Sequence, residues 1–359
     1  MIVSGTVWSS VPLSRTPATD SRRGFRLLRR FDAFQDSFSH RPSLLWNHTR
    51  SMRKILFTSI GALLIPLALA GCAARVERPA PATGERGAEA PQAVYRDVAG
   101  IALGAPLALA VDFSGNIYVA DAAPGRVVSW PASGNGSVEF QRPTQQPGFY
   151  PSDIAVSGFF VYALDPVQRT LLRFDNRGAY RDILIEFDEL SAGRRITPTG
   201  LDVDAYGRIA VSDIGNHQVI LFDAYLAVEL VFGSYGSHPG QLDGPQGVTI
   251  TTDGNFLVTD TGNKRIQLFD AGGRFLALLP SGDQNPLVKP RRAVADKNGS
   301  VYVADPGAKG VFVFRRDGTL ARSIIPSNVS DFNPTDIGLD ASGSIYVTDA
   351  ANASLFVFR

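Results

Sequence analysis

The sequence contains one cysteine, Cys72, and only four histidines in 359 residues. A single thiol excludes the disulfide framework that stabilises many small secreted domains. Two of the histidines lie upstream of Cys72, which leaves His217 and His238 for the rest of the chain. Zinc enzymes bind their metal through several histidines, so this composition argues against a zinc site.

The chain also lacks a real excess of positive charge. Its formal net charge is +1, but residues 1–72 hold 10 Lys and Arg against 3 Asp and Glu. The remainder has 25 basic and 31 acidic residues and therefore a net charge of about −6. Because nucleic-acid binding depends on a basic surface, we expect no nucleic-acid partner.

What the sequence does contain is a unit that occurs six times with a period of 44 to 47 residues. Each unit opens with a proline and continues with a glycine turn, an aspartate and an aromatic residue at nearly constant offsets. The opening prolines are Pro106, Pro151, Pro198, Pro245, Pro290 and Pro334. The aspartates are Asp121, Asp165, Asp213, Asp260, Asp305 and Asp349. A period of this length predicts a radial array of small sheets.

Within a unit, short runs rich in Val, Ile, Tyr and Phe are separated by turn pairs such as Asp253-Gly254, which predicts strands joined by tight hairpins. Four such runs make one blade. The last unit lacks its fourth run, because the sequence reaches Arg359 directly after the third. We expect residues 93–102 to supply that strand. The fold class predicted is all-β, a six-bladed propeller of four-stranded antiparallel blades closed by an N-terminal strand that completes the last blade.

The fourth unit resembles the NHL repeat most closely, with Pro245-Gln246-Gly247-Val248 followed by Asp260-Thr261-Gly262-Asn263-Lys264-Arg265. The resemblance extends over roughly residues 94 to 359, with more degenerate loops in the other units. It implies the six-bladed propeller of bacterial secreted proteins and of animal partner-binding proteins. It implies little about function, because propellers host many unrelated sites.

Upstream of the repeats, Arg53 and Lys54 precede an apolar run from residue 55 to 70 that ends in Leu69-Ala70-Gly71-Cys72. This layout is typical of a secretory signal, and its end resembles the lipobox of bacterial lipoproteins, in which the cysteine is acylated. An uncleaved signal anchor and an apolar run without function remain alternatives. By resemblance to the usual sorting rule, Ala73 favours the outer membrane, facing the periplasm, within the bacterial cell envelope.

The domain organisation predicted has four parts. Residues 1–51 are a mis-assigned or disordered leader, with translation expected to begin at Met52. Residues 52–71 are the signal peptide, residues 72–92 a lipid-anchored Pro- and Ala-rich tether, and residues 93–359 the propeller.

Candidate site residues lie where the blades begin. The residues two positions after each opening proline are expected to ring the mouth of the central channel, and three of them are charged: Asp153, Arg292 and Asp336. They either bind a small ligand or pair with one another and plug the axis. Basic loop residues are expected on the same face, where they form an anion-binding patch or remain scattered solvated charges: Arg126, Arg169, Lys264, Arg265 and Arg291. We interpret the recurring aspartates as loop caps.

Two functions compete. The first is a monomeric, lipid-anchored interaction module that binds an envelope protein or an anionic glycan through its loop face. The second is a metal-dependent hydrolase or lyase, lactonase-like, with Ca²⁺ or Zn²⁺ in the channel. Glutamate is absent from the blade-opening segments and histidine is scarce, so the ligand set for such an ion is missing. The sequence favours the module, with Cys72 as the lipidation site and without a catalytic residue, metal or cofactor.

Overall fold

The computed structural model describes residues 85–359, except residues 99, 132–135, 145, 191–194, 283 and 328. The leader, the signal peptide, Cys72 and most of the predicted tether lie outside this part. None of the described residues forms a helix long and apolar enough to cross a membrane. The described chain is all-β, as predicted.

Six sheets carry the fold, one for each sequence unit. The chain begins with four short strands, β1 (Glu85–Ala88), β2 (Ala93–Tyr95), β3 (Asp97–Val98) and β4 (Ile101–Ala102). Blades one and two consist of β5 (Pro106–Val111), β6 (Ile117–Asp121), β7 (Arg126–Trp130) and β8 (Val138–Glu139), then β9 (Asp153–Ser157), β10 (Phe160–Asp165), β11 (Thr170–Asp175) and β12 (Tyr180–Glu186). Blades three and four consist of β13 (Pro198–Val203), β14 (Ile209–Asp213), β15 (Gln218–Phe222) and β16 (Val228–Phe232), then β17 (Pro245–Ile250), β18 (Phe256–Asp260), β19 (Arg265–Phe269) and β20 (Phe275–Leu279). Blades five and six contain β21 (Arg292–Ala295), β22 (Val301–Asp305), β23 (Gly310–Phe314) and β24 (Leu320–Ile325), then β25 (Pro334–Leu339), β26 (Ile345–Asp349) and β27 (Ser354–Phe358).

The first strand of every blade is innermost, and the first strands of neighbouring blades contact one another around the axis. Successive strands are antiparallel, so the two ends of the propeller differ. The mouth face is the end where the first strands begin and where second and third strands are joined. The turn face is the opposite end, which carries the turns between first and second strands and between third and fourth strands. Positive φ values at Gly254, Gly299 and Gly343 confirm the tight hairpins predicted there.

The predicted ring closure is confirmed. Strand β2 pairs antiparallel with β27, with Ala93 opposite Val357 and Tyr95 opposite Leu355. The closing strand is shorter than residues 93–102, because the chain turns at Gly100 (φ 85°) and forms the β3–β4 hairpin. The β-ladder that closes the ring therefore consists of three residue pairs between β2 and β27.

One feature differs from the predicted tether. Residues 85–88, expected within an unstructured segment, form β1 and pair in parallel with β24, where Glu85 lies opposite Arg322 and Ala88 opposite Ile325. Blade five thus has five strands, and its outer edge is covered. Residues 85–88 lack the alternating apolar pattern that predicts a strand, so β1 was not expected from the sequence.

The hydrophobic core lies between adjacent blades. Each aromatic residue that ends a third strand is buried in one of these layers: Trp130, Phe174, Phe222, Phe269, Phe314 and Phe358. Close packing also requires small residues, since a Cβ atom added at Gly338 would lie 2.4 Å from Leu109 Cδ1 of the next blade. These layers hold the first strands, and with them the channel mouth, in a fixed geometry.

Candidate functional site at the channel mouth

The loops of the mouth face are held by the six recurring aspartates, all of which are fully buried. Asp260 accepts hydrogen bonds from the backbone N–H of Asp243 (2.7 Å), in the preceding linker, and from Asn263 in the following loop. Asp305 does the same with the N–H groups of Val288 (2.7 Å) and Ala308 (2.9 Å). The interpretation of these aspartates as caps is confirmed, and each also fixes the linker that enters its own blade.

Two of the predicted basic residues are engaged by these caps. Arg265 Nε donates to Asp260 Oδ2 (2.7 Å), and its Nη atoms donate to the carbonyls of Ser237 and Gln241. Arg126 makes the equivalent ion pair with Asp121 (3.0 Å). Both guanidinium groups therefore hold the loops in place, with a small exposed fraction of 13 % each.

The other basic residues are placed differently. Arg169 and Lys264 occupy the same loop position, with φ values of 51° and 56°, directly before a third strand. Arg169 forms an ion pair with Asp188. Arg291 lines the channel mouth itself. The structure thus distributes the basic residues among separate loops, and their role in binding a partner stays a prediction.

At the axis, Arg292 reaches from blade five across the channel. Its Nη1 donates to Asp153 Oδ2 of blade two (3.1 Å) and to the carbonyl of Leu201 in blade three (2.9 Å). Its Nε lies 3.7 Å from Asp336 Oδ1 of blade six. The three charged residues predicted at the mouth are therefore brought together, and one guanidinium connects four blades.

The two carboxylates also join neighbouring blades through the backbone. Asp153 Oδ2 accepts the N–H of Leu201 (2.7 Å), and Asp336 Oδ2 accepts the N–H of Leu109 (2.9 Å). Each remaining oxygen accepts the N–H of the residue that follows its own aspartate, Ile154 or Ile337. All four carboxylate oxygens are thus used inside the ring.

A third carboxylate, Asp202, belongs to the same group but was missed from the sequence. It accepts the N–H groups of Ile250 (2.7 Å) in blade four and Val203. Asp202 lies two residues after the mouth position of its strand, which is Gly200. Because side chains alternate along a strand, the residues two and four positions after the proline share a face, and this signal was present in the sequence.

Burial dominates the titration of this group. It raises the pKa of Asp336 to about 7 and that of Asp202 to about 6, although the Arg292 guanidinium acts in the opposite direction. The pKa of Asp153 is raised by burial as well. Burial disfavours the charged form of Arg292, but Asp153 and Asp336 outweigh it and raise the pKa of Arg292. Arg292 therefore stays positively charged, and the carboxylates around it are protonated more readily than exposed ones.

Little space remains at the mouth. The cavity beside Arg292 and Asp336 has a volume of about 20 Å³, enough for one or two water molecules. The Nε of Arg292 has no hydrogen-bond partner within the described chain. Gly200 allows this close approach of blades, since a Cβ atom there would lie 2.4 Å from the carbonyl oxygen of Gln246.

These residues do not fit a divalent metal ion. A guanidinium lies between the carboxylates, and every oxygen of Asp153 and Asp336 already accepts a backbone N–H. In the described part of the chain, no three His, Cys, Asp or Glu side chains converge as metal ligands would.

The pattern of buried aspartate, loop asparagine and arginine that holds blade four can be compared with known families. Residues 242–269 match the NHL repeat. This match includes Asp260 and Arg265, and it lies in the unit from which the resemblance was drawn. No curated protein matches the chain in sequence.

Solved structures share the fold at low sequence identity. A streptogramin B lyase superposes with a TM-score of 0.55 at 13 % identity, covering 74 % of this chain and 96 % of its own. A gluconolactonase from Xanthomonas campestris gives 0.55 at 18 % identity, covering 78 % and 98 %. A chain of a nidogen/laminin complex gives 0.55 at 16 % identity, covering 66 % and 85 %. At such identities the likeness concerns the propeller fold alone.

Proposed function

We propose that this protein is a lipid-anchored interaction module of the bacterial cell envelope, tethered through Cys72, which binds a protein or an anionic glycan on its mouth face. The observation that carries the proposal is the occupied axis. Arg292 bridges Asp153 and Asp336 across the channel, and the cavity beside them has a volume of only about 20 Å³. Small-molecule sites are usually several hundred Å³, so a partner has to bind on the loops outside the channel.

The mouth face offers suitable groups for such a partner. Apolar side chains are exposed on its linkers and loops: Tyr150, Val167, Tyr235 and Val288. Tyrosines that expose a ring and a hydroxyl group are frequent in interfaces. Arg291, at the mouth, and Lys264, in a loop, add positive charge to this face. Apolar contacts combined with cations suit an acidic protein surface or an anionic glycan.

A metal-dependent hydrolase or lyase remains the competing function, because a lyase and a gluconolactonase share the fold. It requires an ion at the axis and space for a substrate. The ion pairing of Arg292 with Asp153 and the size of the cavity oppose both requirements.

Photo-crosslinking in living cells tests the module. A photoreactive amino acid at Val167 or Tyr235, on the mouth face, is expected to give a defined adduct with one envelope component, whereas the same residue at Asn298, on the turn face, gives none of it. Intact-mass measurement of the purified protein tests acylation of Cys72. If the purified protein instead contains a stoichiometric metal ion that Asp153→Ala or Asp336→Ala removes, the metal-dependent enzyme is favoured over the module.

A further inference from the structure

The turn face carries exposed aromatic residues on three consecutive blades. Phe113 is 99 % exposed, Phe159 76 % and Tyr206 82 %, and each lies in the turn between the first and second strands of its blade. Tyr225, in the second turn of blade three, is 92 % exposed. These four residues are called the aromatic crescent below.

The turns that carry the crescent are neighbours. Ser157 Oγ, beside the turn of blade two, donates to the carbonyl of Asp204 in the turn of blade three (2.8 Å). A Cβ atom added at Gly207 would lie 3.7 Å from Ala224 Cβ, so the turns of Tyr206 and Tyr225 are in contact. The turns of Phe159, Tyr206 and Tyr225 therefore form a continuous surface, and Phe113 lies in the corresponding turn of the adjacent blade one.

The fold does not require aromatic residues in these turns. In blade three the N–H of Tyr206 donates to Asp204 Oδ1 (2.9 Å), and in blade five the N–H of Asn298 donates to Asp296 Oδ1 (2.8 Å) in the same way. The same turn in blade six carries Ser342. Polar residues thus build the same backbone, and exposed aromatic rings on one side of the face point to a surface that becomes covered.

The course of the chain indicates what covers it. Strand β1 is parallel to β24, which runs from the turn face toward the mouth face. The chain therefore enters the propeller from the side of the turn face. Only 12 residues separate Cys72 from Glu85, and they span at most about 40 Å when fully extended.

We propose that the aromatic crescent lies in the interfacial layer of the bilayer to which Cys72 is anchored, so that the turn face rests on the membrane and the mouth face points away from it. This inference rests on the anchoring of the proposed function and adds an orientation to it. Tyrosine prefers the level of the lipid headgroups, and phenylalanine is buried at the boundary between headgroups and acyl chains. The short tether enters on this same face, beside blade five, and so holds the turn face close to that layer.

Fluorescence quenching by brominated lipid tests the orientation. All strands of the described propeller lie within residues 85–359, so the chain from Cys72 to Arg359 contains the whole fold. It is coupled through its only thiol to a maleimide phospholipid in phosphatidylcholine vesicles brominated on the acyl chains. Chemical coupling replaces biological acylation in this experiment. If intact-mass measurement shows that Cys72 is not acylated in cells, the proposed anchoring fails, but the orientation of the coupled protein is still tested.

Tryptophan is placed on either face, as Tyr206→Trp or as the matched control Val167→Trp. Tyr206→Trp is expected to lose roughly half of its emission relative to vesicles without bromine, and Val167→Trp less than roughly a tenth. The buried Trp130 gives a background that is subtracted with the parent protein. Adding Phe113→Ser and Phe159→Ser to Tyr206→Trp is expected to remove most of the quenching. Equal quenching on both faces, or none at Tyr206→Trp, overturns the proposal.

Discussion

Replacing Arg292 with methionine tests the central ion pairing most directly. Arg292 and Asp153 have side chains only 9 % and 8 % exposed, and the guanidinium also faces Asp336 and the carbonyl of Leu201. Methionine keeps much of the aliphatic volume but leaves the carboxylates without their cation. Removing one partner of a buried pair costs about 3–5 kcal/mol.

In a propeller of this size that cost corresponds to a fall in melting temperature of about 6–20 °C. The measurement is thermal unfolding at pH 7.5, followed by circular dichroism. The matched control is Arg274→Met, which removes an ion pair with Asp270 at an arginine that is 86 % exposed. That exposed pair is expected to contribute at most about 1 kcal/mol.

The pH dependence makes the prediction specific to charge. Below pH 6, protonation of Asp336 and Asp202 removes the charges that Arg292 balances, so the deficit of Arg292→Met is expected to shrink. A melting temperature within about 1 °C of the parent at pH 7.5, judged against the destabilisation typical of a broken buried pair, would refute the account of the axis. An equal deficit at pH 5 and pH 7.5 would assign the loss to packing.

Three further predictions concern the axis, a loop cap and the closing strand of the propeller. Asp336→Asn is expected to flatten the pH dependence of stability. Burial raises the pKa of Asp336 from 3.8 to about 7 in the folded state, so the folded parent binds a proton that the unfolded chain has lost, and its stability falls as the pH rises through that window. Chemical denaturation of parent and variant at pH 5 and pH 8 measures the difference. Asp260→Ala leaves Arg265 and the N–H of Asp243 without their acceptor and is expected to cost about 3 kcal/mol, measured by urea unfolding; an unchanged midpoint contradicts the cap. Deletion of residues 93–95 removes the ladder to β27 and is expected to broaden the single calorimetric transition; an unaltered transition means that β2 does not close the ring.

The sequence was sufficient for the fold because its landmarks have local causes. The glycine turns, the strand-ending aspartates and the aromatics recur in step, and each is explained by backbone conformation or by burial between blades. The meeting of Asp153, Arg292 and Asp336 also followed from register, since each stands two residues after its proline.

Other features depended on distances between blades that are far apart in sequence. Arg265 could be read as a free cation until the carbonyls of Ser237 and Gln241 were placed around it. The pairing of β1 with β24 joins residues more than two hundred positions apart, and no apolar pattern in β1 predicts it. Asp202 was overlooked although the alternation of strand side chains pointed to it.

The pairing of β2 with β27 has a consequence for biogenesis. The first strand of the ring to be synthesised has to wait for the last, because Ala93 finds its partner only when Val357 has been made. Until then the five earlier blades are an open arc with two uncovered ends. The ring therefore closes only after its final residues have been made, so loss of a few C-terminal residues would leave blade six without the partner of β2.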